Sequence, residues 1–382
     1  MEHTGISNLL SNGGYGCVYY PSISCKGKQN ISKKEVTKIQ KNDESATNEQ
    51  HISDIVRKIK HYKNHFVPIT KSCGINVSKL SSNLKTNCDI FQKKGNTYIL
   101  MYMPYINGST LNEHLRKSGK SKDVMNNLLT SYEYLLSSIQ LLIDNNIVHY
   151  DLKGNNIMYH LDKNIPLIID FGMSIDLEDI HKYIEFYFFT YAPSYYYWCP
   201  EIHFINYIIH SKKYTPLTKQ DINKVSLEIL KQNDPITNNM SQEFNDKYYT
   251  YMKEYYYRFA GMDGKDVIRE LLNSTHTWDN YSLSIIYLKL LTSIYPDGYD
   301  ENDFISRFSQ ILLFNLHPDP NKRYSISKTR EKLKAILLNT NMKTFIDVLD
   351  SLKLHREKFN RSLINTEKQS IKMGDELQSK RE

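Results

Sequence analysis

The stretch from His149 to Asn156, HYDLKGNN, sets a carboxylate, an ammonium and an amide close together as Asp151, Lys153 and Asn156, and IIDFG follows with Asp170-Phe171-Gly172. Transfer of a γ-phosphoryl group needs a base beside the acceptor hydroxyl, a cation on the transferring phosphate and hard oxygen ligands for a divalent metal. Asp151 is the candidate base, Lys153 the neutralising cation, and Asn156 with Asp170 the ligand pair for Mg²⁺, with Mn²⁺ as the alternative ion. A loop that is polar by chance seldom carries both motifs in this order.

The same chemistry needs a cradle for the phosphates and a lysine upon them. SNGGYGCV supplies Ser11, Gly13, Gly14, Gly16 and Val18, a glycine-rich turn with serine in its first position. Glycine lets backbone amides approach phosphate oxygens without a Cβ in the way. Taken alone this turn reads equally as an ordinary glycine hairpin. In EVTKIQ, alternation puts Val36 and Lys38 on one face of a strand, although Lys33, Lys34 and Lys41 compete for the role. Glu49 follows on a predicted helix, where its carboxylate either holds Lys38 toward the α- and β-phosphates or is merely solvated.

These groups need a scaffold, and its elements are readable. GCVYYPSI, EVTKIQ, CDIFQKK and NTYILMYM read as strands between Gly, Asn and Lys turns. Ile52, Val56 and Ile59 recur at helical spacing, and residues 123–144 predict a long helix buried on a wide face. NIMYH and PLIID read as short strands, followed by a loop dense in aromatics. Residues 202–277 read as helical patches, and the last fifty residues as helices ending in a solvated, mixed-charge tail.

Composition narrows the class. The 382 residues, 40% hydrophobic, can fill a substantial core. A net charge of +7 from 49 basic and 42 acidic residues is too small and scattered to mark a nucleic-acid binder. The abundance of Tyr, Lys, Asn and Ile reflects an AT-rich coding bias. Five cysteines without a C-x-x-C pair argue against a disulfide framework or zinc site and toward a reducing compartment. The N-terminus lacks a leader-like apolar core and no run is long enough to span a membrane, so a cytoplasmic location is expected.

With these residues in hand, the chain resembles the eukaryotic-type Ser/Thr protein kinases over about residues 9–335. WCPEI matches that family's A-P-E element with Cys199 for Ala, and HPDPNKRYS its late D-P-x-x-R segment. The resemblance implies a buried Glu201–Arg323 ion pair and makes Asp279, in WDNYSLSIIYLKLL, the cap of the catalytic loop. It places Met103 at the back of the adenine pocket, the backbone of Pro104, Tyr105 and Ile106 along adenine, and Val18, Val36 and Met158 as apolar walls, each of which also reads as plain core. Lys153 and Ser194, the latter as the hydroxyl contacting the catalytic Asp and Lys, imply Ser/Thr acceptors on protein substrates, with ATP as cofactor. The implied fold is α+β and two-lobed: a small antiparallel-sheet lobe at 1–103, a larger helical lobe at 104–335 and a charged helical tail at 336–382.

Three departures stand out. Residues 205–275 form an insertion, read either as a partner- or substrate-docking module or as a helical elaboration. Tyr150 replaces the arginine that gathers an activation-loop phosphate, which implies control without such a phosphate. GGYGCVYYPSISCKG, VTKIQ and FVPITKSCGI also resemble kinases of large nucleocytoplasmic DNA viruses, implying a host-cytoplasm or virion location. Two alternatives stand beside the active kinase. A pseudokinase scaffold acting through insertion and tail would be signalled by loss of Lys38, Asp151, Asn156 or Asp170, all of which are present. A small-molecule phosphotransferase would lack the Glu201 and Arg323 matches.

Overall fold

The computed structural model describes residues 7–13, 16–25, 32–80, 82–86, 88–92, 97–212, 214–294, 304–340 and 342–381. Its small lobe is a five-stranded antiparallel sheet ordered Asn8–Gly13, Gly16–Tyr20, Glu35–Lys41, Tyr98–Pro104, Lys71–Ile75. Alternation along the strands sends Cys17, Tyr19, Ile39, Leu100 and Tyr102 into one core, while the other face, with Lys38 and Met101, looks toward the cleft. Register makes this explicit, since Lys38 lies opposite Val18 on one side and Met101 on the other. Directly opposed residues share a face of the sheet. The helix Glu44–Val56 starts where the Asp43 carboxylate accepts from the Ala46 N–H, satisfying one of its orphan donors.

Two sequence expectations fail in this lobe. The described part of CDIFQKK, residues 88–92, is not a strand; Asp89–Gln92 is a short 3-10 turn beside the glycine-rich hairpin, with the Asp89 N–H donated to the Asn12 side chain, and Lys93 and Lys94 lie outside the described residues. And four of the five cysteines are paired, Cys17 with Cys88 and Cys25 with Cys73, each at a Cα separation of 6.0 Å. The partners lie 71 and 48 residues apart, so local spacing carried no trace of them. The pairing removes the ground on which the sequence suggested a reducing compartment. Cys199 alone is free and buried.

The larger lobe is helical. Ser121–Ile143 and Trp278–Thr292 run through its centre, the latter buried on nearly every side. A four-stranded sheet, which includes Ile157–His160 and Ile165–Ile169, carries the catalytic loop on one side and Asp170 on the other. Between residues 205 and 275, the helices Lys219–Gln232, Gln242–Tyr257 and Gly264–Leu272 send Ile222, Val225, Met252, Tyr256 and Val267 into the same core. Tyr248 donates from there to the Leu316 carbonyl at 3.0 Å. The segment expected to be an insertion thus packs as an integral layer of the lobe.

The expected solvated tail is not found. Arg356–Arg381 is one long helix that buries Phe359, Leu363, Met373 and Leu377 against the lobe. Among the described residues no helix is long and apolar enough to cross a membrane.

Candidate active site

Strand register decides what the sequence left open about Lys38. Its Nζ lies 2.8 Å from Glu49 Oε2 and 3.0 Å from Asp170 Oδ1, and Glu49 is 2% exposed, so the solvated-carboxylate alternative falls away. Lys33 and Lys34 are exposed. Burial disfavours the Lys38 ammonium, but the charges of Asp170 and Glu49 outweigh it and hold its pKa above the usual lysine range. Burial raises the Glu49 pKa. The Asp170 carboxyl, although burial opposes ionisation, is held below its ordinary value by Lys38. The pair thus fixes one charged lysine between two carboxylates, where it can reach phosphate oxygens.

On the other side of the cleft, Lys153 Nζ lies 3.0 Å from both oxygens of Asp151. Asn156 Nδ2 donates to Asp151 Oδ2 and to its backbone carbonyl, each at 2.9 Å. The loop is held by Asp279, whose carboxylate accepts from His149 N at 2.7 Å and Tyr150 N at 3.1 Å. Tyr150 and Asp170 both have positive φ, 67° and 64°. Such conformations are costly for non-glycine residues and persist where the surroundings over-determine them. At Tyr150 Asp279 does so, together with the Trp198 indole, which donates to the Tyr150 carbonyl at 2.9 Å, and at Asp170 the Lys38 ammonium at 3.0 Å.

The glycine-rich turn is a hairpin with Gly13 opposite Gly16. Gly16 has φ +141°, and a Cβ there would lie 2.2 Å from the Ile39 carbonyl oxygen, so only glycine fits. Ser11 is exposed on the first strand, and Gly14 lies outside the described residues. Val18 is half-buried beside Lys38, and Met158 half-buried across the cleft on Ile157–His160.

Met103 lies opposite Val36 and is half-buried, packed on the cluster of Ala46, Ile69, Ile99 and Met101, with Met101 itself opposite Lys38. Two assignments are corrected. Along 104–106, Pro104 has no N–H and the Tyr105 N–H is donated to the Lys34 carbonyl at 2.9 Å. Tyr105 stacks on Tyr20 at 4.1 Å, so this stretch offers adenine fewer donors than expected, the Ile106 amide among them. Ser194 is exposed, and the hydroxyl that donates to Asp151 Oδ1 is that of Tyr195. The YYYW run hid this, because all four aromatics are buried and nothing in their sequence says which one reaches Asp151. Tyr150 is buried, with Trp198 at 4.8 Å and Phe188 at 5.8 Å between ring centroids, a packing of aromatics rather than a phosphate site.

At the base of the lobe, Arg323 meets Glu201 by two parallel hydrogen bonds of 2.8 Å, with side-chain exposure of 1% and 0%. The pair that the resemblance implied is formed.

A small antiparallel lobe over a helical lobe, with a lysine–glutamate pair facing a loop aspartate across a cleft, defines a protein-kinase fold. Residues 6–333 match the protein kinase domain family, and the chain belongs to it. Curated relatives include the mitogen-activated protein kinase kinase kinase bck1 of Aspergillus fumigatus, 37% identical over 89 residues, which is 23% of this chain and 5% of that protein. Human mitogen-activated protein kinase kinase kinase 5 is 32% identical over 108 residues, 28% of this chain and 8% of the relative. The probable serine/threonine-protein kinase mkcB of Dictyostelium discoideum is 29% identical over 171 residues, 45% of this chain and 20% of the relative. The chain therefore spans only a small part of the length of these relatives. Among solved structures, a mutant kinase domain of Mycobacterium tuberculosis PknI aligns over 86% of this chain and 94% of its own at TM-score 0.43 and 12% identity.

Proposed function

We propose that this chain is an active Ser/Thr protein kinase that uses Mg-ATP and works without an activation-loop phosphate. The observation that carries the reading is that Lys38, Glu49 and Asp170 on one side and Asp151, Lys153 and Asn156 on the other are all present and mutually paired. Asp170 and Asn156 offer hard oxygen donors, the set Mg²⁺ takes alongside phosphate oxygens. The ion, when bound, would neutralise charge on the β- and γ-phosphates. Lys38 orients the α- and β-phosphates, Asp151 accepts the proton of the acceptor hydroxyl, and Lys153, already on Asp151, reaches the transferring phosphoryl. Tyr195 must release Asp151 Oδ1 for that hydroxyl to replace it.

Lys153 supports Ser/Thr acceptors, and the aromatic seat of Tyr150 supports constitutive ordering of the activation segment. The affinity to kinases of large nucleocytoplasmic DNA viruses, a cytoplasmic site of action and partner docking through the insertion belong to the same proposal. Purified chain with Mg-ATP and a generic basic protein is expected to incorporate phosphate, and Asp151→Asn to reduce incorporation by at least about a hundredfold. Equal incorporation by the variant sinks the assignment.

A further inference from the structure

The long C-terminal helix lies over the catalytic loop. Its first residue, Arg356, donates to the carbonyls of Arg116 at 3.1 Å and of Leu115 at 3.3 Å, closing the end of the helix Leu111–Lys117. One turn after another it descends on the site. Glu367 accepts from the Thr110 hydroxyl at 2.7 Å, and its carbonyl from Asn155 at 3.4 Å. Ser370 meets the Tyr197 hydroxyl at 2.5 Å. At Gly374 a Cβ would stand 2.9 Å from Lys153 Nζ, and at Gly13, in the glycine-rich hairpin, a Cβ would stand 3.6 Å from Asp375 Oδ1. The last turn sets the Arg381 guanidinium over the rings of Phe186 and Phe189, at 4.4 and 4.8 Å, both in the activation segment.

We infer that this helix is an autoinhibitory strap, a segment of the chain itself seated where a protein substrate must present its hydroxyl. The inference rests on the kinase reading above. Lys153 and Asp151 are 3.0 Å apart, so any hydroxyl arriving at Asp151 from another protein must enter the space that Gly374 and its neighbours fill. The buried positions Phe359, Leu363, Ser370, Met373, Gly374 and Leu377 recur at helical spacing, as expected for a face built to lie on a surface. Glycine is a poor residue inside a helix. Its place here is the point of closest approach to Lys153, where a larger residue would be held off. A kinase whose competent state is a minor fraction has its apparent substrate affinity reduced by that fraction, and displacement of the helix is the step that restores it.

The test uses the full chain. Met373→Asp with Leu377→Asp puts two charges under the strap, at residues 7% and 2% exposed, and Glu367→Lys breaks only the contact to Thr110. Lys372→Ala, on the exposed face, is the control. Backbone hydrogen exchange over residues 363–378 reads docking, and phosphate incorporation into a generic basic protein reads activity. The double variant is expected to lose exchange protection and to gain at least about tenfold in kcat/KM for the protein substrate, with Glu367→Lys between it and the control. Lost protection with unchanged kcat/KM overturns the strap and leaves phosphotransfer standing; protection unchanged in the double variant overturns the docking. If the double variant unfolds, Glu367→Lys decides alone, and a kcat/KM equal to the control's overturns the inference. Absence of transfer from every chain fails the kinase reading, and this inference with it.

Discussion

Replacing Arg323 by Met tests the lower lobe most sharply. The guanidinium gives Glu201 two bonds of 2.8 Å, Thr277 one of 2.9 Å and the His317 carbonyl one of 2.8 Å, all out of water. Methionine fills the volume and donates nothing, so the Glu201 carboxylate is left with the Ser274 hydroxyl at 3.2 Å, the Cys199 thiol and no counter-charge. Breaking a buried pair in this way costs about 3–5 kcal/mol. For a chain of this size that corresponds to a fall of roughly 4–6 °C in Tm, read by differential scanning calorimetry at pH 7. The companion Glu201→Leu with Arg323→Met removes both charges and is expected to recover most of the loss, because a matched apolar pair is often neutral relative to a buried ion pair. A single variant within about 2 °C of the parent, or a double variant as unstable as the single, refutes the reasoning that an uncompensated charge is what the lobe cannot tolerate.

Tyr195→Phe spares the acceptor hydroxyl from displacing a resident one, and kcat/KM for protein substrate is expected to rise about threefold to tenfold, the worth of one hydrogen bond; a fall in steady-state assays contradicts it. His203 is buried and its pKa is held down by that burial to about 3, from 6.5. The unfolded chain therefore takes up a proton from pH 6.5 downward while the folded chain does not. The stabilisation is complete above 6.5 and lost as pH falls toward 3, by up to about 1.4 kcal/mol per pH unit. Urea midpoints between pH 7 and 5 are expected to fall accordingly, and His203→Gln to flatten that slope; an equal slope in the variant counts against it.

The parts of this molecule that were legible from sequence are those whose chemistry is local. Asp151, Lys153, Asn156 and Asp170 announce themselves because a loop and the turn after a strand fix their spacing. Glu201, Asp279 and Arg323 came through resemblance, and the structure brings each to the partner expected. Lys38 and Glu49 were undecided until strand register faced the lysine toward the helix. What stayed hidden depends on approach in space. Cys17 and Cys88 meet because the glycine-rich strand passes over a loop seventy-one positions on. Tyr195 rather than Ser194 reaches Asp151, and adjacent residues of an irregular loop have no period that says which side chain faces the site. The tail looked solvated because its mixed charges mask the apolar face, which mean composition averages away.

The proposed function is phosphoryl transfer with Asp151 as base, from a cleft that needs no activating phosphate. Its most direct measurement is the time course of labelled phosphate from Mg-ATP into a basic protein, by chain treated with phosphatase and then freed of it, beside Asp151→Asn. The treated chain is expected to keep most of the untreated rate while the variant shows almost none. A treated chain as silent as the variant, revived only by prior incubation with ATP, would contradict it.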